Sequence, residues 1–122
     1  MYSVSWKELP SIEGLKNNFR TAVAGKEMGV NRIRWIHPTS LPPHRHDDAE
    51  QSIVMLEGEI EFVIGGDRLL LKSGDVAIVP RGIEHSGQSI AGEAVFIEVF
   101  APLRPENLVG FLGEPSLPQD ES

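Results

Sequence analysis

Two histidines two residues apart, His44 and His46, open the stretch of this chain best equipped for chemistry, H-R-H-D-D-A-E-Q over positions 44–51. Imidazole is the commonest protein metal ligand, because one ring nitrogen keeps a lone pair while the other donates a hydrogen bond. In an extended strand every second side chain faces the same way. His44 and His46 are then placed to share one ion. A further donor is available from Glu50 or Gln51. Glu50 keeps the parity of the histidines in an unbroken strand, whereas a bend at Asp47-Asp48 would invert it and turn Gln51 inward. If Gln51 faces inward, so do Ile53 and Met55. His85 is the remaining candidate, held after the turn residues Gly74, Pro80 and Gly82. Taken alone, the His-x-His pair also fits two solvated loop histidines, so the metal reading needs His85 to converge on it. His37, which precedes Pro38 at the edge of a strand, reads as a structural or loop residue.

A second cluster lies in the last apolar run, E-V-F-A-P-L-R over positions 98–104. Glu98 and Phe100 share a strand face with Phe96. Such a glutamate is either an edge-strand residue paired with an arginine or a general acid or base in a partly desolvated mouth. Arg104, just beyond, offers the planar fork of donors that clamps a carboxylate.

The elements around these residues read as short strands. The chain has 122 residues, 40% of them hydrophobic and 24% charged, which suits one soluble domain with a core of its own. A net charge of -7 argues against a nucleic-acid partner, and local arginines would have to hold any anionic substrate. The absence of cysteine excludes disulfides, thiolate zinc sites and cysteine nucleophiles. No apolar run reaches the length of a membrane span or a signal peptide, so a cytoplasmic protein with no membrane partner is expected. The first 14 residues suggest a short strand or turn. Alternation predicts strands near 16–24 and 30–37, then a loop imposed by Pro38, Pro42 and Pro43. Strands follow at 52–56, a tight turn at Glu57-Gly58, and strands at 59–64 and 69–72 joined by the Gly65-Gly66-Asp67 hairpin. A buried strand is expected at 76–79, a loop at 87–92 and a last strand at 94–100. Frequent glycine and proline turns between short strands predict an all-β sandwich or barrel. Pro105 is suited to begin a short helix over 105–112, and 114–122 has the composition of a disordered tail.

His44-x-His46 with Gln51 and Gly58, followed by Gly74, Pro80, Gly82 and His85, resembles the two motifs of the cupins. The resemblance covers roughly positions 30–100. A single domain over 1–113 is expected from the length and composition, and the resemblance implies a double-stranded β-helix (jelly-roll) barrel with one divalent metal ion (nickel, zinc, manganese or iron) in the barrel mouth. The implied ligands are His44, His46, Gln51 and His85, with Glu50 as the rival for the third place. Small cupins are often dimers, so a homodimer is expected. Ser89 stands where the family often has asparagine. Three neutral imidazoles and a neutral amide would leave the full charge on the ion, which favours polarising a substrate oxygen over oxygen activation.

The final segment resembles the cupins that linearise unsaturated monouronates in pectin and alginate breakdown, which carry Asp-x-Phe-x-Pro-x-Arg there. Glu98 takes the aspartate's place, Phe100 the phenylalanine's and Arg104 the arginine's. The expected substrate is a small carboxylated sugar or keto acid, with Glu98, Phe100 and Arg104 as catalytic residues and Trp35 helping to line the pocket. An iron-dependent cupin dioxygenase and a non-catalytic sugar-binding module are the alternatives.

Overall fold

The computed structural model describes residues 3–103, and among these ten strands form two antiparallel sheets. A short 3-10 turn, Trp6–Glu8, with Ser5 as its cap, precedes β1 (Ile12–Glu13). There follow β2 (Asn18–Ala24), β3 (Gly29–Ile36), β4 (Ser40–His44), β5 (Glu50–Glu57) and β6 (Glu59–Ile64). The chain continues through β7 (Asp67–Lys72), β8 (Val76–Val79), β9 (His85–Ser89) and β10 (Glu93–Ala101). One sheet runs β1-β2-β3-β10-β5-β8, the other β4-β9-β6-β7.

Period-2 alternation fills the space between the sheets. Ile33 and Trp35 of β3, Ile53 and Met55 of β5 and Phe96 of β10 meet Ile60, Phe62 and Leu71 from the opposite sheet. Each such side chain contributes about 1.5–3 kcal/mol on full burial. Trp35 is 1% exposed, stacked edge-on against Phe96 at 5.2 Å and tilted on Phe62 at 6.0 Å. It is therefore a core residue, and the expectation that it lines a pocket is corrected.

Several elements depart from the pattern. Glu57-Gly58 is not a hairpin turn, because β5 and β6 belong to different sheets. Gly58 is the corner between them: its φ is +76°, and a Cβ there would overlap the Glu93 carbonyl oxygen. Pro42 and Pro43 lie within β4 instead of a loop, which its place at the edge of the smaller sheet permits. Residues 85–89 form β9 where a loop was expected from 87 onward. In β8, Ala77 and Val79 face inward while Val76 and Ile78 are 62% and 52% exposed, so it is a half-buried edge strand. β10 lies in the middle of its sheet, which removes the edge-strand reading of Glu98. Arg104, the helix expected over 105–112 and the tail at 114–122 lie outside the described residues.

Candidate metal centre

Strand pairing, not sequence adjacency, sets the histidines together. His44 ends β4, His85 begins β9, and the two are Cα partners across that pair. Their ring centroids are 4.1 Å apart. His46 lies just past the end of β4, so its convergence does not come from a continuous strand face. The chain bends at Asp47 and Asp48, and the Gly82 N–H donates to the His46 carbonyl at 2.8 Å. That bond ties the loop carrying His46 to the turn that leads into β9. The His46 ring sits 4.9 Å from His44, 5.2 Å from His85 and 5.4 Å, edge-on, from Phe100. The candidate ligand atoms of the three histidines lie within 4.8 Å of one another.

The tautomers of two rings follow from their partners. His44 Nδ1 is 2.8 Å from the Pro42 carbonyl, and His85 Nδ1 is 3.0 Å from the Ile83 carbonyl. A carbonyl only accepts, so each Nδ1 carries the hydrogen and each Nε2 keeps its lone pair. Burial pushes the His85 imidazole below the ordinary histidine value of 6.5. The Ile83 hydrogen bond opposes this shift and the nearby His44 adds to it. His85 thus stays neutral, the form a metal requires.

Gln51 lies on the inward face of β5 and is 2% exposed, while Glu50 is exposed on the same strand. The bend before β5 therefore inverts the parity that an unbroken strand would have given. Gln51 Nε2 donates to Glu98 Oε2 at 2.5 Å. With its amide nitrogen on Glu98, the amide oxygen of Gln51 points elsewhere. Gln51 Oε1 and His85 Nε2 are both buried and have no hydrogen-bond partner among the described residues. Buried lone pairs without donors are costly unless a cation or a proton meets them. This donor set of neutral nitrogens and an amide oxygen fits a divalent ion of the first transition series.

Glu98 and Phe100 share the inward face of β10, at 6% and 3% exposure. Glu98 stands opposite Ile53 on one side and Asn31 on the other, and Phe100 stands opposite Gln51. Asn31 was not singled out from the sequence. It is 1% exposed, and neither its Oδ1 nor its Nδ2 has a hydrogen-bond partner among the described residues. Its place two residues before Ile33, on the face of Ile33 and Trp35, was the available signal. His37 is a loop residue as expected, exposed and hydrogen-bonded through Nδ1 to Ser89 Oγ at 2.8 Å. A groove of about 500 Å³ involving Trp6, Phe19, Arg32 and Arg34 lies elsewhere, and none of the three clustered histidines lines it. The convergent lone pairs, not cavity size, identify the site.

Residues 35–100 match the family described as Cupin domain. The chain is 43% identical over 47 residues to quercetin 2,3-dioxygenase of Bacillus subtilis (strain 168), a stretch covering 38% of this chain and 14% of that protein. It is 33% identical over 66 residues to the pectin degradation protein KdgF of Dickeya dadantii (strain 3937), covering 54% of this chain and 60% of that one. In both cases the match spans less than two thirds of the relative's length. The structure of KdgF from Halomonas sp. superposes with a TM-score of 0.79 at 20% identity, covering 84% of this chain and 95% of that one. A likeness at that identity speaks for the fold. The family match over residues 35–100, which include the three clustered histidines, makes the chain a member of the cupin family.

Proposed function

We propose that this cupin is a metal-dependent, non-redox enzyme acting on a small carboxylated sugar or keto acid, with an unsaturated monouronate as the leading substrate. His44, His46, Gln51 and His85 would hold one divalent ion, which supplies Lewis-acid polarisation of a substrate hydroxyl or carbonyl oxygen. The observation that carries the reading is the buried Gln51–Glu98 hydrogen bond, which puts a carboxylate one side chain away from the candidate donors. Glu98 would take the proton of the hemiacetal hydroxyl as the bond from that carbon to the ring oxygen breaks. It would then return the proton to the enol carbon, leaving an open-chain keto aldehyde with no change in composition. Phe100, packed on His46, keeps water from this face. Arg104, outside the described residues, takes the role of clamp on the substrate carboxylate. The partial match to a pectin degradation protein supports this substrate class.

The test is turnover of an unsaturated monouronate followed by NMR, with and without Glu98→Gln. The account expects loss of turnover with metal content retained. Turnover at the wild-type rate in that variant removes Glu98 from the mechanism. A second reading, an iron-dependent dioxygenase, draws on the 47-residue match to quercetin 2,3-dioxygenase. Oxygen uptake with a flavonol, dependent on iron, would favour it, and activity restored by zinc or nickel would count against it.

The same proposal takes the chain as a single domain over 1–113 and as a cytoplasmic homodimer. Leu56, Val76 and Ile78 are exposed on the outer faces of β5 and β8 and offer apolar surface to a second copy. Among the described residues no helix is long and apolar enough to cross a membrane. Light scattering on the purified protein checks the dimer, and a mass of one chain at micromolar concentration would sink it.

A further inference from the structure

The amide at position 51 needs a reason, because a carboxylate there would be the stronger ligand for a dication. The geometry provides one. Gln51 on β5 and Glu98 on β10 lie on adjacent strands, two residues apart in register, and both are buried. Their side chains meet diagonally at 2.5 Å, nitrogen to oxygen. A glutamate at 51 would press one carboxylate against another in a buried site, where like charges are least screened. An amide avoids this. It has one donating end and one accepting end, and the donating end is committed to Glu98. The accepting end, Oε1, is the buried atom without a partner among the described residues.

We propose that Gln51 is a positioning residue for Glu98 as well as a ligand, and that the residue type at each of the two positions is set by the other. The ligand role of Oε1 rests on the metal-dependent reading above. The pairing rests on burial and hydrogen-bond direction. Through one rigid amide, the orientation of the ligand oxygen and that of the Glu98 carboxylate are fixed together. Disturbing Gln51 therefore disturbs both the metal centre and the proton-transferring group.

The experiment is a double-mutant cycle with Gln51→Glu, Glu98→Gln and the exchanged pair Gln51→Glu/Glu98→Gln. The exchanged pair restores one carboxylate and one amide with the donor on the opposite strand. Urea unfolding of the four metal-free proteins at pH 8 gives the coupling with the single effects subtracted. The expected result is that Gln51→Glu alone lowers the folding equilibrium constant at least tenfold. Adding Glu98→Gln should recover it beyond the effect of Glu98→Gln in the wild-type background, also by at least tenfold. If Gln51→Glu fails to fold, a folded exchanged pair is the same rescue. Additive losses, or an exchanged pair that also fails to fold, overturn the pairing. Calorimetric titration of the same four proteins and of Gln51→Met with zinc separates the two layers. Absence of zinc binding in the wild type defeats the metal reading while the unfolding cycle still decides the pairing. Wild-type zinc affinity in Gln51→Met defeats the ligand role alone.

Discussion

Replacing Gly87 with alanine should cost the fold about 2 kcal/mol, within the 1–3 typical of overpacking. Gly87 lies in β9 beneath the core aromatics. A Cβ there would stand 3.0 Å from Phe62 Cε1 and 3.0 Å from Trp35 Cη2, with Phe62 Cδ1 at 3.2 Å. Carbon atoms pack best at about 3.5–4.0 Å, so the methyl group overlaps two rings by roughly half an ångström. Neither ring has room to retreat. Phe62 and Trp35 are 0% and 1% exposed, and both are backed by Phe96 at centroid distances of 6.2 and 5.2 Å. The displacement must then be shared by β9 itself, whose first residue is His85. Thermal and urea unfolding of wild type and Gly87→Ala measure the cost. At about 4 °C per kcal/mol for a domain of this size, Tm should fall by roughly 8 °C. Zinc affinity should fall as well, because His85 moves with its strand. A Tm within 1 °C of wild type would show that the interior is looser than its packing implies, and the argument that β9 is rigidly seated would be wrong.

Other perturbations follow from the same geometry. Asn31→Leu removes a buried amide without hydrogen-bond partners among the described residues. It should stabilise the protein by about 1 kcal/mol in urea unfolding while lowering kcat/KM on the uronate at least tenfold, since Asn31 flanks Glu98; unchanged kinetics would confine Asn31 to the scaffold. Because burial holds His85 below the ordinary value of 6.5, the unfolded chain takes up this proton first as pH falls. The contribution is therefore complete above that value and is lost as pH drops through the lower, folded one. The urea midpoint of metal-free protein should be level from pH 8 to 7 and decline below about 6.5, and His85→Leu should remove that part of the slope. A divalent ion at one hundred times its Kd should stabilise the protein by about 2.7 kcal/mol, read as a rise in Tm that His44→Ala abolishes.

Much of the fold was legible because the relevant signals are local. Ile33 and Trp35, Ile53 and Met55, and Ile60 and Phe62 alternate as inward residues, and Gly65-Gly66 marks the β6–β7 hairpin. The departures have physical causes that a local pattern does not carry. β9 reads H-S-G-Q-S, with no apolar alternation, because Gly87 leaves its inward space to Trp35 and Phe62 from other strands. Pro42 and Pro43 signal a loop wherever both edges of a strand must be paired, but β4 is paired on one side only. Glu57-Gly58 has the composition of a hairpin, and only the partner strands reveal a corner between sheets. At the site, residue types and spacing pointed to His44, His46 and His85 and left Glu50 and Gln51 open, the cupin resemblance favouring Gln51, while the cross-strand pairing of His44 with His85 was not readable. Nor was the Gln51–Glu98 contact, which joins residues 47 apart in sequence.

The most direct test is the zinc or nickel stoichiometry of protein stripped of metal and then titrated by calorimetry. The account predicts one ion per chain, with binding weakened at least a hundredfold in each of His44→Ala, His46→Ala and His85→Ala. A wild-type protein that takes up no ion, or a His85→Ala variant that binds as well as wild type, would contradict it.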